Sequence, residues 1–122
     1  MGGKPHPGQV PPEAARAQVD RVLASAVFQK APRLSRLLEF LATETLAARG
    51  DELKEYTVGM GVFDRPEGFD PRDDSIVRSS THRLRERLSE YYANDGANDS
   101  IIVTVPLQGY VTEFCWRAAA PP

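Results

Sequence analysis

Residues 75–114 read SIVRSSTHRLRERLSEYYANDGANDSIIVTVPLQGYVTEF, and they form the most informative stretch of the chain. The first half predicts a helix with a basic solvent side, which carries Arg78, His82, Arg83, Arg85 and Arg87. A short loop follows, and then two β-rich runs joined at residues 106–109, Pro-Leu-Gln-Gly. A basic helix followed by a hairpin is typical of proteins that place a helix in a DNA groove, so nucleic-acid binding is the first hypothesis.

The pattern also predicts which side of this helix faces the core. The helix should begin after a cap at Asp73, Asp74 or Ser75 and continue to about Tyr92. At helical spacing the core side consists of Val77, Thr81, Leu84, Leu88 and Tyr91. The opposite side consists of Arg78, Ser79, His82, Arg83 and Glu86. The strands are predicted at residues 101–105 and 110–114.

Two further helices are predicted near the start of the chain. The first spans residues 13–28, with Pro12 at or just before its first turn. The second spans residues 32–48, carries leucines at helical spacing, and is predicted to form the centre of the core. Gly50 is the expected C-terminal cap of this second helix.

A third helix, residues 54–63, is the least regular, because glycine costs about 1 kcal/mol relative to alanine in a helix interior. Gly59 and Gly61 therefore indicate close approach to another helix. The side chains expected to anchor its core side are Tyr56, Met60 and Phe63. Residues 64–74 follow as a loop, with Phe69 tucked inward.

These elements predict a compact α+β domain of three to four helices and a C-terminal hairpin at residues 13–117. Residues 1–12 and 118–122 are rich in proline, glycine or alanine and are expected to be disordered tails. The chain has 122 residues, enough for one core, and it lacks an apolar run of about 18 residues that could span a membrane. We therefore expect a cytoplasmic location and no membrane partner.

Catalytic and metal chemistry are not expected. Cys115 is the single cysteine, so it cannot form an internal disulfide, and its aromatic neighbours favour a packed hydrophobe. The acidic run at residues 70–74 resembles a calcium loop, but Arg72 stands where a ligand is needed. The sequence contains no nucleophile–base arrangement and no phosphate-binding glycine loop, so we predict no enzyme, no metal and no cofactor.

The net charge of −2 hides an uneven distribution. Residues 76–92 contain four arginines against Glu86 and Glu90, whereas residues 64–74 contain five acids against two arginines. Association with a polyanion depends on the field at the contacting face, so an acidic loop that lies away from the helix is compatible with DNA binding.

Four segments share their order and spacing with a known domain type: RLSRLLEFL at 33–41, YTVGMGVF at 56–63, VRSSTHRLRERL at 77–88 and VTVPLQGY at 103–110. Together they resemble the OmpR/PhoB-type winged helix-turn-helix domain of bacterial transcription regulation. The chain is more similar still to the winged-helix module of bacterial adenylate cyclase and tetratricopeptide-associated proteins, through LKEYT at 53–57, FDPR at 69–72 and IVR at 76–78. The resemblance implies sequence-specific binding of double-stranded DNA by a transcription factor or accessory regulator.

The resemblance also implies a set of DNA-contacting residues. Arg83 and Arg78 match positions that read bases, since arginine presents a planar fork to guanine. Ser79 matches a base-contacting position, and His82 is expected to donate to a base or a phosphate. Arg85 would hold a phosphate beside the helix. Lys54, at the start of the third helix, would reach the DNA backbone.

Two alternatives stay open. Arginine and glutamate at helical spacing often only solvate a helix face through weak pairs such as Arg83 with Glu86 or Arg87 with Glu90. The wing tip, Leu107-Gln108, lacks the cation that the family usually carries there, so it is a candidate for contact with a protein. In that case the chain would act as a winged-helix adaptor without DNA affinity. If it does bind DNA, it could bind as a homodimer or as tandem protomers. RNA polymerase or another regulator is the protein partner to be expected.

Overall fold

The computed structural model describes residues 10–117, which form an α+β fold with an antiparallel hairpin at its C-terminal end. The helices are α1 (Pro12–Leu23), α2 (Ala26–Gln29), α3 (Pro32–Leu46), α4 (Glu55–Phe63) and α5 (Ile76–Ala93). A single 3₁₀ turn lies at Gly50–Glu52, and the strands are β1 (Ile101–Thr104) and β2 (Glu113–Trp116). The α+β class is therefore confirmed. The predicted tails lie outside the described residues, except that Val10 packs on the core and Pro12 opens α1.

The described residues contain five α-helices rather than three to four, because the predicted helix at 13–28 is interrupted. Ser25 has an extended backbone with φ −71° and ψ 158°, and its hydroxyl donates to the carbonyl of Val22 at 2.6 Å. A serine that bonds locally to the backbone competes with helix continuation. After this break the chain continues as α2, and Phe28 of α2 is fully buried in the core.

The C-terminal end of α3 is closed by Ala48, and the predicted cap at Gly50 is wrong. Ala48 lies in the left-handed region at φ 63°. Its N–H donates to the carbonyl of Thr45 at 3.1 Å, and the next N–H, of Arg49, donates to the carbonyl of Glu44 at 2.9 Å. These two bonds form a Schellman motif with alanine where glycine is usual. Gly50 instead lies against Val111, whose Cγ2 atom would be 3.3 Å from an added Cβ.

Ala48→Gly should therefore raise the free energy of unfolding by about 0.5–1 kcal/mol, which urea denaturation would measure. Glycine relieves the left-handed strain, which costs an L-residue about 1–2 kcal/mol. Glycine also makes the unfolded chain more flexible, which lowers the free energy of unfolding by roughly 0.4–1 kcal/mol, so the net effect should be stabilising. The neighbouring Ala47 has φ −87° and is equally exposed, so Ala47→Gly is the matched control and should lower stability. Loss of stability in both variants would contradict the left-handed conformation of Ala48.

The core is built around α3, which packs against α1, α2, α4 and α5. Its leucines at positions 37, 38 and 41 are fully buried, as the sequence predicts. In α4 the buried side chains are Val58 and Val62, whereas Met60 is exposed, so its predicted core role is wrong. Tyr56 and Phe63 are half-buried.

The two glycines of α4 make room for aromatic rings. An added Cβ on Gly61 would lie 2.7 Å from the ring of Phe40, which belongs to α3, so the predicted helix approach is confirmed there. An added Cβ on Gly59 would lie 2.3 Å from the ring of Phe69, which comes from the loop. That ring stacks on Tyr56 with centroids 5.5 Å apart, and in this way it fastens the loop onto α4.

The hairpin has a longer loop than predicted. β1 and β2 pair with Ile101 opposite Trp116 and Thr104 opposite Glu113, so the predicted second strand at 110–114 begins three residues too early. The backbone N–H of Thr112 donates to the hydroxyl of Thr45 in α3 at 3.1 Å, and this bond fastens the residue before β2 to α3. Residues 105–112 form the connecting loop and contain the predicted turn.

A buried polar network joins the N-terminal helix to the hairpin. The carboxylate of Asp99, in the loop before β1, accepts hydrogen bonds from Tyr91 of α5, from Gln18 of α1 at 2.9 Å and from Arg21 at 3.2 Å. Burial alone would raise the pKa of Asp99, but the hydrogen bonds from Tyr91 and Gln18 and the charge of Arg21 outweigh it, and the pKa lies below its usual value. The sequence predicts only a short loop around Asp99.

Candidate nucleic-acid interface

α5 has the two sides that the sequence predicts. The side turned to the core is buried, and it consists of Val77, Thr81, Leu84, Leu88 and Tyr91, with Ser80 in addition. The opposite side is exposed, and it consists of Arg78, Ser79, His82, Arg83 and Glu86. The helix therefore presents a continuous polar surface with several cations, which is the arrangement that a groove-binding helix requires.

Arg83 is the most available cation on this surface. It is exposed and makes no hydrogen bond or ion pair with any other residue between positions 10 and 117, so the sequence-expected pair with Glu86 is not formed. Glu86 lies instead beside His82, with 3.5 Å between the imidazole Nε2 and the carboxylate. Arg87 does pair with Glu90, at 3.1 Å, as the helical spacing predicts. Pairs of this kind on an exposed surface are weak.

Arg78 links three parts of the molecule. Its Nη1 donates to the carboxylate of Glu55 in α4 at 2.8 Å and to the carbonyl of Pro71 in the loop at 3.1 Å. These contacts hold the start of α5 against α4. Both contacts use Nη1, so Nε and Nη2 of Arg78 make no hydrogen bond with a described residue, whereas in Arg83 all three guanidinium nitrogens are without one.

The contact between Arg78 and Glu55 also locates Lys54. Lys54 precedes α4, is exposed, and donates its backbone N–H to the hydroxyl of Thr57 at 3.0 Å. Because Lys54 directly precedes Glu55, its backbone lies near the start of α5. Ser79 is exposed at the same end, with its hydroxyl 3.4 Å from that of Ser75. The structure thus brings Lys54, Arg78 and Ser79 to one region.

Arg85 has a different contact from the phosphate contact that the resemblance implies. Its Nε donates to the carbonyl of Val105 at 2.8 Å, and its Nη2 donates to the carbonyl of Pro106 at 2.7 Å. The half-buried guanidinium therefore fastens the beginning of the hairpin loop to α5. The sequence signal for this role is weak, since Arg85 stands among several arginines and only the fold reveals which one meets the hairpin.

The acidic loop lies beside α5 and not away from it, because Pro71 contacts Arg78. Two of its carboxylates are paired within the loop region: Asp70 with Arg72 at 2.9 Å, and Asp74 with Arg65 at 2.6 Å. Hydrogen bonds from these arginines hold the pKa of each carboxylate below its usual value. The pairing reduces the negative field of the loop at the start of α5.

The wing tip is apolar and exposed. Leu107 is 84% exposed, and Gly109 supports the turn with φ 87°. A cleft of about 220 Å³ lies between the tip and α5, and its lining includes Arg78, Arg85 and Tyr110. Burial and the charge of Glu55 raise the pKa of the Tyr110 phenol above its usual value.

In the part of the chain that the structure describes, no helix is long and apolar enough to cross a membrane. Comparisons of the chain with protein-family models, with curated proteins and with solved structures found no match.

Proposed function

We propose that this chain is a winged helix-turn-helix protein that binds double-stranded DNA and acts as a transcription factor or an accessory regulator. The observation that carries the proposal is the exposed side of α5, where Arg83 has no partner within residues 10–117, beside a hairpin that Arg85 fixes to the same helix. The resemblance of the sequence to OmpR/PhoB-type domains supports the same conclusion.

In this proposal α5 enters the major groove, which is wide enough to admit an α-helix. Arg83 presents its guanidinium to the O6 and N7 atoms of guanine, and Ser79 and His82 contact bases or phosphates nearby. Lys54 meets the DNA backbone before α4, where the helix dipole also favours an anion. Arg78 contributes positive charge and positions α5 through Glu55, and Arg85 positions the wing.

The apolar tip limits the affinity of a single copy. Because Leu107 and Gln108 stand where a cation would reach a phosphate, the wing adds little electrostatic attraction. Strong binding then needs two protomers on repeated half-sites, about one helical turn of DNA apart. RNA polymerase or another regulator is the protein partner that this role implies.

Arg83→Ala should weaken specific DNA binding by about 1–3 kcal/mol and leave the melting temperature unchanged, because the exposed side chain makes no hydrogen bond or ion pair with any described residue. The measurement is a titration of fluorescent DNA, selected from a random pool for binding, at several salt concentrations.

Arg16→Ala is the charge-matched control for this titration. Arg16 lies on α1 and pairs with Asp20 and Glu39, and α1 packs against α2, α3 and β1. Removal of this cation should reduce affinity far less than removal of Arg83. Equal losses for the two variants would mean that binding depends on net charge alone, and the assignment of α5 as the recognition helix would be wrong.

The second candidate function is a protein adaptor, and the exposure of Leu107 favours it, since a leucine that is 84% exposed at a loop tip would gain from removing its apolar surface from water in a partner. The same titration separates the two functions. An adaptor gives no saturable binding to any DNA in the selected pool, for the parent chain and for both arginine variants alike.

A further inference from the structure

The two outer edges of the hairpin differ. The edge of β1 is covered by one side chain of α5, because the hydroxyl of Tyr92 donates to the carbonyl of Ile101 at 2.9 Å and accepts from the N–H of Val103 at 2.9 Å. This side chain satisfies the backbone groups that would otherwise attract another strand. β1 also packs against α1 and α5, which flank it.

The edge of β2 is open. The N–H of Arg117 donates to the carbonyl of Ser100 at 2.7 Å, which makes these two residues a hydrogen-bonded pair. Since such pairs alternate along an antiparallel ladder, the backbone groups of Phe114 and Trp116 point away from β1. The next outward N–H, of Thr112, is covered by Thr45. Within residues 10–117, no hydrogen bond uses the four outward groups of Phe114 and Trp116, and no third strand pairs with β2.

A groove runs beside this open edge. Its volume is about 400 Å³, and it lies between β2 and the end of α3, with Val10, Thr45 and Leu46 along its lining. A strand added to a sheet lies about 4.8 Å from its neighbour, so the groove is where an added strand would sit. Cys115 of β2 also lines the groove and is half-buried.

We propose that β2 pairs with β2 of a second copy of this chain, in antiparallel orientation about a two-fold axis at Cys115. In this register Phe114 faces Trp116 of the second copy on both sides of the axis. All four outward groups of each strand are used, which gives four hydrogen bonds between the copies by symmetry. If the two-fold axis lay at Phe114, Trp116 of one copy would lie opposite Thr112 of the other. The N–H of Thr112 is already bonded to Thr45, so that alternative register would form fewer hydrogen bonds between the copies.

The side chains agree with this register. Glu113 of one copy lies opposite Arg117 of the other, and the symmetry forms this pair of opposite charges twice. Glu113 is exposed, and Arg117 uses Nε and Nη2 to bind the carbonyls of Asp99 and Gly96, which leaves Nη1 for the second copy. The two Cys115 residues then face each other at a position where Cα atoms are about 4.5 Å apart, within the range that a disulfide spans.

Sedimentation of the full chain under reducing conditions tests the pairing. The parent should form a dimer as its concentration rises. Glu113→Arg places like charges opposite each other twice and should weaken the dimer by about tenfold in dissociation constant or more, since like charges directly opposite destabilise paired strands. The control is Glu67→Arg, which makes the same charge change at an exposed loop position and should sediment as the parent does.

The single cysteine supplies a second readout. Diamide takes two hydrogen atoms from a pair of thiols, so that one S–S bond forms and the reagent is reduced to its hydrazine. The parent should form a covalent dimer about tenfold faster, or more, than a chain carrying Cys115→Ser and Ala17→Cys, because strand pairing raises the effective concentration of the thiols. Ala17 is an exposed position on α1 and so offers a thiol away from β2. Cys115→Ser alone should keep the dimer and lose the cross-link.

Three results would overturn the proposal. The first is a parent that sediments as a monomer at every concentration. The second is a dimer whose dissociation constant is the same for Glu113→Arg as for the Glu67→Arg control. The third is cross-linking at Cys115 no faster than at Ala17→Cys. Each readout is independent of DNA, so the proposal can fail while DNA binding stands, and the reverse also holds.

Discussion

Leu84→Ala is expected to lower the free energy of unfolding by about 2–5 kcal/mol, the cost of a cavity left by a buried leucine. Leu84 is fully buried on the side of α5 that faces the core, and α5 packs there against α3. Urea denaturation measures the effect, and the slope of the transition should be unchanged because the overall fold is kept.

His82→Ala is the control on the same helix. The imidazole of His82 is 71% exposed and meets only Glu86, so its removal should change stability by less than about 0.5 kcal/mol. Similar losses for the two variants would mean that α5 is rotated relative to the core, and the exposed side proposed for DNA binding would then be misassigned as well.

Asp99→Ala is the second large effect, expected at about 1–3 kcal/mol for each buried donor that loses its acceptor. Tyr91 and Gln18 both donate to this carboxylate, which is 5% exposed. The matched control is Asp95→Ala in the same loop, where the side chain is exposed and substitution should cost little. Equal stability of the two variants would contradict the network.

The same carboxylate should make stability depend on pH. The pKa of Asp99 is lower in the folded chain than in the unfolded chain, where it is about 3.9. The ionised carboxylate therefore contributes fully to the free energy of unfolding at any pH above the unfolded pKa. The contribution is lost as pH falls through the folded pKa. Urea midpoints measured from neutral to acid pH should therefore fall less steeply for Asp99→Asn than for the parent. Parallel curves would show that the folded pKa is not lowered.

Local patterns predicted the helices well where packing and capping agree. The buried and exposed sides of α5 follow directly from the spacing of its apolar residues, and α4 differs by one residue from the prediction. The predicted helix ends were wrong where a local hydrogen bond or an unusual backbone conformation ends the helix. The hydroxyl of Ser25 ends α1 early, and Ala48 closes α3 in a conformation that an alanine rarely adopts, so residue preference pointed to Gly50.

The hairpin and the candidate site were harder to predict because their contacts join distant residues. The segment before the second strand is held to α3, because Thr112 bonds to Thr45, 67 residues away. Arg85 and Arg83 have the same side chain and nearly the same sequence surroundings, yet one is fixed to the hairpin loop and the other faces solvent. Helical spacing turns these two side chains about 200° apart, and the path of the hairpin over α5 decides which of them is fixed.

The bonds around Asp99 and Tyr92 have a consequence for the order of folding. An isolated two-stranded hairpin is marginal in water, and here its register depends on a phenol at the end of α5, so the hairpin forms only after that helix has docked. Gln18 then bonds to Asp99 across 81 residues, which ties the first helix to the last structural unit. The described fold is thus tied together from α1 to the hairpin, and this part of the chain should unfold in one cooperative transition.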